Sequence, residues 1–365
     1  MPALVKLVPP KLNLSTVMRK MTGCRPMREG KFNISQEFTG NKCIVHCYGH
    51  GGSGFTTLFG SVKRAIDLLL QSKAKGKVRV VGAGCMGLTA AIELSRMGFD
   101  VRGITARDLY DITSWKAAGC FAIVSVKTAP DQQLSLVEIG EDTFKVYSQI
   151  ARGTHPYLSS EFLRLLPMFC DEKTESGLEK LVERGSVPAP QEVCLDFGEG
   201  VRHENFLQYM TFFIDTTRMM RQLQQEVKRS KISTEIAHLE SFEEIEEEII
   251  INCTGLGARA LNCDDSLISV RGHLLLLNAE AGKRHMDYLI NTTVMHEGKE
   301  EYIYLFPKTE IVSSASPEGI TCQGVLGGSF IQHDDRLSPS ELEEVDKREF
   351  QKIFDRSSLF FYGNR

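Results

Sequence analysis

A glycine-rich turn set between two β-branched stretches leaves this chain few folds to choose from. Val78-Arg79-Val80-Val81 runs straight into Gly82-Ala83-Gly84-Cys85-Met86-Gly87. A helical pattern follows over 88–97, with Leu88, Ala91, Ile92 and Ser95 at helical spacing and Gly98 as a stop. A second strand-like run, 100–104, comes next. This order of strand, turn, helix and strand puts three glycines where a parallel sheet meets a helix N-terminus. Gly82 permits the tight turn, Gly84 lets the backbone approach a pyrophosphate, and Gly87 lets helix and strand pack closely. Free N–H groups and the positive end of the helix dipole would hold the phosphates. The competing reading is a structural turn in some other α/β protein. An acidic residue is expected at the end of the second strand, to bind a ribose. The sequence has Thr105-Ala106-Arg107-Asp108 there, with the acid one or two positions late.

A second strand-to-turn junction lies upstream. Ile44-Val45-His46-Cys47-Tyr48 leads into Gly49-His50-Gly51-Gly52-Ser53-Gly54-Phe55-Thr56, followed by an amphipathic helix over 59–70. It reads as another helix N-terminus with flexible backbone donors, suited to an anion or a strongly polarised ring. Further on, 206–227 reads as one long helix carrying Met210, Phe213, Met220 and Leu223. A charged stretch, 240–248, gives way to the strand Ile249–Asn252 and then to a glycine turn opening a helix over 253–261. Strand-like runs recur at 272–277, 301–306, 311–314 and 324–330. Residues 337–354 read as a polar helix, with Ser338 or Ser340 as its cap.

Composition excludes several classes. With 365 residues and 42% hydrophobic content, two domains are the default. A balance of 43 basic and 47 acidic residues, net −4, offers no stripe for nucleic acid. No run reaches the roughly 18 apolar residues of a membrane span. The beginning of the chain carries no signal-peptide pattern, and ten scattered cysteines suit a reducing cytoplasm. Cys43 and Cys47, with His46 and His50 nearby, suggest a metal at first sight. On a strand over 42–47, however, the two cysteines share one face while His46 points the other way, so no metal is expected.

The block Tyr48-Gly49-His50-Gly51-Gly52-Ser53-Gly54-Phe55-Thr56 resembles the flavin-ring signature of the D-amino-acid oxidase family. Upstream, Gly23-Cys24-Arg25-Pro26-Met27-Arg28 resembles the segment that precedes it there. Thr113-Ser114 with Ala117-Ala118-Gly119 matches the loop passing beside the flavin. The run from Ser241 through Ile251-Asn252-Cys253-Thr254-Gly255 is similar to the second FAD segment, and Arg271-Gly272-His273 to a substrate-domain strand. In the family the signature lies near the C-terminus; here it comes about thirty residues before Gly82. The resemblance therefore implies a circularly permuted order. Residues 1 to about 72 correspond to the family's last portion, and 71–77 form the seam.

The fold implied is α/β: a Rossmann-like FAD-binding domain from 40–150 and 205–262, and a mixed-sheet α+β substrate domain from 1–39, 151–204 and 263–365. The resemblance implies FAD held by Gly82, Gly84, Gly87, Arg107, Ser114, Gly119, Thr254 and Gly255. Its ring would rest on Gly51, Gly52, Ser53 and Gly54 with the Thr56 hydroxyl. It further implies oxidation of an amino acid or small amine by hydride transfer to the flavin, with molecular oxygen as acceptor. Arg25 matches the carboxylate-binding arginine, Tyr304 a tyrosine that donates to the same carboxylate, and Gly52 completes the substrate side. A homodimer is compatible with this reading. The family's further lid tyrosine, four residues before Tyr304, falls on Glu300, an acid where a carboxylate should bind. Glu300 and Ala106 thus speak for an alternative, a flavoprotein that keeps the fold as a binding module without oxidase activity. His50 is expected to position the ring rather than act as a base.

Overall fold

The computed structural model describes residues 2–12, 17–278, 286–313, 315–332 and 337–363. Its first sheet has six strands in the order Ser233–Ile236, Val101–Ala106, Val78–Val81, Ile249–Asn252, Lys42–Tyr48, Asn33–Thr39. The first five run parallel and the last is antiparallel. Short, unbroken aliphatic runs such as Ile249-Ile250-Ile251 belong in such a sheet because both faces are covered. Cys43, Val45 and Cys47 face the larger core, whereas Ile44 packs with Phe242 and Ile245 on the other side. The strand therefore splits its faces as the alternation predicts. Among the described residues no group of three or more His, Cys, Asp or Glu could hold a metal ion.

The second sheet has ten strands and mixed direction. From one edge it runs Ala3–Lys6, Gln191–Asp196, Arg202–Ile214, Leu163–Asp171, Leu289–His296, Lys299–Pro307, Gly324–Gly327 and Leu267–Leu277. Ile331–Gln332 and Val17–Arg28 both pair with Leu267–Leu277. Residues 310–321 add a small hairpin; the 311–314 run reaches Ser313, and Ser314 lies outside the described residues. The strands of residues 2–72 are thus divided between the two large sheets. No described helix is long and apolar enough to cross a membrane.

Two expectations need correction. Residues 206–227 are not one helix but the strand Arg202–Ile214 and the helix Thr216–Arg229. Asp215 separates them, its carboxylate accepting the Arg218 N–H as an N-cap at 3.3 Å. The apolar run fits either period, and pairing with Leu163–Asp171 and Gln191–Asp196 on its two sides decides for the strand. The strand Arg202–Ile214 thus belongs to the ten-stranded sheet and Asn33–Thr39 to the six-stranded one. The C-terminal helix is capped by Ser338 in a full capping box, but it continues to Tyr362. It is not polar all round: Phe350, Ile353, Phe360 and Phe361 pack on the ten-stranded sheet.

Candidate active site

A cavity of about 1520 Å³ is lined from both large sheets. Ordinary ligand pockets hold roughly 300–1,000 Å³, so this one has room for a dinucleotide and a second small molecule. It collects most of the residues picked out in the sequence. Gly82, Gly84, Arg107, Ser114, Gly119, Thr254 and Gly255 line one part; Gly51, Gly52, Gly54, Thr56, Arg25 and Tyr304 line another. Gly87 and Ser53 do not reach it.

At the first turn the glycines are required by backbone approach. Gly82 has φ +109°, and a Cβ there would stand 2.3 Å from the Cys253 carbonyl. A Cβ on Gly87 would stand 1.8 Å from the Gly82 carbonyl, so its duty is close packing of helix Cys85–Arg96 on its strand. Gly84 differs: a Cβ would meet only the Ser114 hydroxyl, at 3.2 Å. Its N–H donates to no acceptor among the described residues, and the Cys85 N–H donates to Ser114 Oγ at 3.1 Å. A helix N-terminus with open backbone donors is therefore presented to the cavity. Gly119 approaches the Ile214 carbonyl to within 1.9 Å of a would-be Cβ, so it is fixed by packing as much as by any ligand. Thr254 donates to the buried Asn252 Oδ1 at 2.8 Å, shaping the turn it shares with Gly255. At the acid beyond the second strand, burial pushes the Asp108 carboxyl up. The N–H groups of Asp111, Tyr110 and Leu109 outweigh this and hold it below its ordinary value. One of its oxygens is taken up in that local turn.

The second turn is built otherwise. The Gly51 N–H donates to the Pro26 carbonyl at 2.8 Å, Gly52 to Ser125 at 2.7 Å and Ser53 to His50 at 3.0 Å. The Ser53 hydroxyl donates to the Val124 carbonyl, and Thr56 Oγ1 donates to the Ala122 carbonyl at 3.0 Å. The donors of Gly51, Gly52, Ser53 and the Thr56 hydroxyl, expected to be free, are thus bonded inside the protein: Pro26 and His50 take two of the N–H groups, and the segment 120–129 takes the Gly52 N–H and both hydroxyls. Ahead of helix Leu58–Ser72, the consecutive N–H groups of Gly54, Phe55 and Thr56 have no acceptor among the described residues. Nothing lies within 4 Å of where a Gly54 Cβ would be. His50 bonds Ser61 Oγ through Nε2 at 3.1 Å and stacks on Phe32. Burial drives its pKa down to about 3, so it positions this turn as a neutral ring and is no base at neutral pH. Burial likewise lifts the Cys85 thiol to about 11 and Cys120 to about 12, which keeps both protonated.

At the other end Arg25 leaves the strand Val17–Arg28 and lays its guanidinium 4.5 Å from the centre of the Phe330 ring. It donates to the Ser329 carbonyl at 3.2 Å, also hydrogen-bonds the Tyr304 hydroxyl, and pairs with no carboxylate among the described residues. Tyr304 is buried beside it and stacks on Phe306 with ring centres 4.6 Å apart. Burial raises the Tyr304 phenol, and the neighbouring Arg25 cation opposes that shift. Glu300 sits at the far end of the same strand, pairs with Lys173 at 3.1 Å on the surface and does not line the cavity. Tyr302, two residues further along, does line the cavity, and its hydroxyl donates to Asn291. Sequence reading missed it, although Tyr302, Tyr304 and Phe306 alternate as one strand face requires.

A model of the FAD dependent oxidoreductase (DAO) family matches residues 77–360. The chain belongs to that family. A D-amino-acid oxidase of Dictyostelium discoideum is 27% identical over 290 residues, spanning 74% of this chain and 70% of that protein. Among solved structures, the iminodiacetate oxidase of Chelativorans sp. BNC1 is similar at 13% identity and a TM-score of 0.47, covering 77% of this chain and 78% of that one. The glycine oxidase of Bacillus cereus ATCC 14579 gives 12% identity, a TM-score of 0.46 and coverage of 76% and 77%. The protein is thus an FAD-dependent oxidoreductase, and its own residues fit the cofactor. The cradle at Gly82 and Gly84 admits no side chain without loss of the space a pyrophosphate would use. A second set of open N–H groups waits at Gly54–Thr56 across the same cavity.

Proposed function

We propose that this oxidoreductase oxidises a small amine that carries a carboxylate, an amino acid above all, with molecular oxygen as the final acceptor. The observation that carries the reading is Arg25, a cation facing the cavity that meets the Ser329 carbonyl and the Tyr304 hydroxyl but pairs with no carboxylate among the described residues. A carboxylate leaves water for such a cavity only where a paired, hydrogen-bonded cation receives it, and the planar guanidinium fork suits it in two places at once. Tyr304 adds a hydroxyl donor beside it, and the backbone of Gly52 borders the same space, with Arg25 Cδ 3.4 Å from a would-be Gly52 Cβ. FAD, when bound, supplies the two-electron acceptor for the amine's α-carbon. The N–H groups of Gly54, Phe55 and Thr56 would favour negative charge at the pyrimidine end of its ring. Gly82, Gly84, Arg107, Ser114, Gly119, Thr254 and Gly255 would border the pyrophosphate and its flanks. With Glu300 turned to the surface, the case for a non-catalytic flavoprotein loses its main residue.

In this reading the six-stranded sheet is the cofactor side and the ten-stranded sheet the substrate side. The chain order is a circular permutation of the family's. Three observations support that order: the family match begins at Lys77, the 48–56 turn lines the same cavity as Gly84, and Tyr362 Oη donates to the Pro10 carbonyl at 2.6 Å. A chain opened between 72 and 77, with Arg365 joined to Met1 by a short linker, should still bind FAD. Ten unpaired cysteines suit a cytoplasmic setting.

The deciding experiment is anaerobic reduction of the bound flavin by amino-acid mixtures, in wild type and Arg25→Ala. Loss of an interaction of about 1.5–3 kcal/mol should lower kcat/KM roughly ten- to 150-fold with FAD content unchanged. Arg25→Lys should restore only part. A wild-type flavin that no amino acid reduces would overturn the proposal.

A further inference from the structure

Arg25 does not hold its own position; its seat is assembled by residues the sequence gives no reason to group. In the strand Leu267–Leu277, Gly272 lies two residues beyond Val270, the partner of Arg25, and a Cβ there would stand 2.5 Å from one Arg25 terminal nitrogen and 2.7 Å from the other. The guanidinium therefore occupies the space that a side chain at 272 would fill. Its other supports, the Ser329 carbonyl and the Phe330 ring, come from residues 328–330, which belong to no strand. Leu275 pairs with Leu326 and Arg271 with Ile331, so four steps along one strand face five along the other. The extra residue makes a bulge, a device that re-aims groups beside functional sites.

A bulge without strand pairing must be fixed by other means, and Ser329 supplies them. Its hydroxyl oxygen accepts the His273 backbone N–H at 2.9 Å and lies 2.7 Å from His273 Nδ1. His273 Nε2 stands 2.8 Å from Asp346 Oδ1 on the C-terminal helix, and Arg271 binds that carboxylate through both oxygens, at 2.8 and 2.6 Å. Asp346 as acceptor makes Nε2 the protonated nitrogen, leaving Nδ1 to accept the Ser329 proton. The order serine, histidine, aspartate is that of a nucleophilic triad. Ser329 is buried, however, and outside the cavity lining, so no substrate carbonyl reaches it.

We propose that Asp346, His273 and Ser329 are positioning residues for Arg25: they lock the 328–330 bulge so that the guanidinium rests over Gly272 with its open N–H groups toward the substrate carboxylate. The proposal rests on the reading of Arg25 as the carboxylate anchor. The test titrates the FAD-loaded protein with benzoate and with its neutral isostere benzamide, following the flavin's visible spectrum, and records FAD content for every variant. Arg25→Ala and Gly272→Ala should weaken benzoate at least tenfold. Ser329→Ala and Asp346→Asn should weaken it three- to tenfold, and Ser329→Thr, which keeps the hydroxyl, should lie within twofold of wild type. Benzamide binding should change less than twofold throughout. Benzoate binding unchanged in Gly272→Ala, Ser329→Ala and Asp346→Asn, but lost in Arg25→Ala, overturns the relay and leaves the anchor standing. Benzoate binding intact in Arg25→Ala, or absent from wild type, overturns the anchor itself. Equal loss of benzoate and benzamide in Ser329→Ala makes the cluster a general brace and overturns the relay too. Should Gly272→Ala lose FAD, the Ser329→Ala and Asp346→Asn pair decides.

Discussion

The turn at 82–87 and the turn at 49–56 both run from a buried strand into a helix, yet their glycines answer to different neighbours. In the first, Gly82 and Gly87 are pressed against backbone, while Gly84 has only the Ser114 hydroxyl near its would-be Cβ, at 3.2 Å, and keeps its N–H free. In the second, Gly51 and Gly52 are pressed against Ser125, which would lie 2.4 and 2.5 Å from their Cβ atoms, and their N–H groups are bonded inside the protein. Only toward Gly54 does that turn open. A glycine signature thus marks where backbone comes close. Whether the approaching partner is a ligand or another loop depends on residues far along the chain.

The widest separation between the two turns should come from their glycines. Gly84→Val meets no backbone and only the Ser114 hydroxyl, at 3.2 Å from its Cβ, and otherwise fills cavity space, so the fold should survive and FAD retention should be abolished. A folded, yellow Gly84→Val protein would place the pyrophosphate elsewhere. Gly52→Ala should do the reverse, forcing Ser125 back at a cost of about 1–3 kcal/mol in thermal or denaturant unfolding while the protein still loads FAD. If Gly52→Ala instead loses FAD at unchanged stability, the second turn is a ligand contact like the first, and the contrast collapses.

The same contrast explains what could be read from sequence. Gly82, Gly87 and the strand Val78–Val81 are legible because the positive φ of Gly82 and the approach of Gly87 to the Gly82 carbonyl are local, although Cys253 and Ser114, which also press on this turn, are not. The carbonyls of Pro26, His50, Ala122, Val124 and Ser125, which take donors of the second turn, carry no sequence signal, since every residue type offers one. Residues 206–214 carry a pattern that suits helix or strand, and only their pairing with Leu163–Asp171 and Gln191–Asp196 settles it. At 300–304 a fixed offset of four pointed to Glu300. Glu300 and Tyr302 share one strand parity, and only the cavity lining, which includes Tyr302 and not Glu300, tells them apart.

A middle-sized effect should come from the foot of the second turn. Tyr48 Oη donates to Asp264 Oδ2 at 2.8 Å and receives the amides of Asn33 and Asn262, while Arg28 Nε binds the same carboxylate oxygen at 2.7 Å. Burial pushes the Asp264 carboxyl up, but the hydrogen bonds from Arg28 and Tyr48 outweigh it and hold the group below its ordinary value near about 3.9. A carboxyl lowered on folding contributes stability above its unfolded pKa and loses it as pH falls through the folded one. Asp264→Asn should therefore cost about 2–3 kcal/mol at pH 7. The gap to wild type should narrow below pH 4. A gap that stays constant down to pH 3 would mean the carboxylate charge is not what binds this cluster.

The smallest effect tests the one side chain that serves the first turn. Ser114 Oγ accepts the Cys85 N–H, as an N-cap would, although it comes from the separate short helix Thr113–Lys116. Ser114→Ala leaves that N–H without its partner, and losses of this kind are about 1 kcal/mol. In a chain this long that lowers Tm by roughly 2 °C. The substitution adds no bulk to the cavity, and the Gly84 N–H is untouched, so FAD affinity should fall less than about fivefold, under 1 kcal/mol. Differential scanning calorimetry and FAD titration of the apoprotein measure the two effects separately. If Ser114→Ala empties the protein of FAD as completely as Gly84→Val does, the first turn depends on a side chain and not on its backbone. The difference drawn between the two turns would then be wrong at the turn where the sequence appeared plainest.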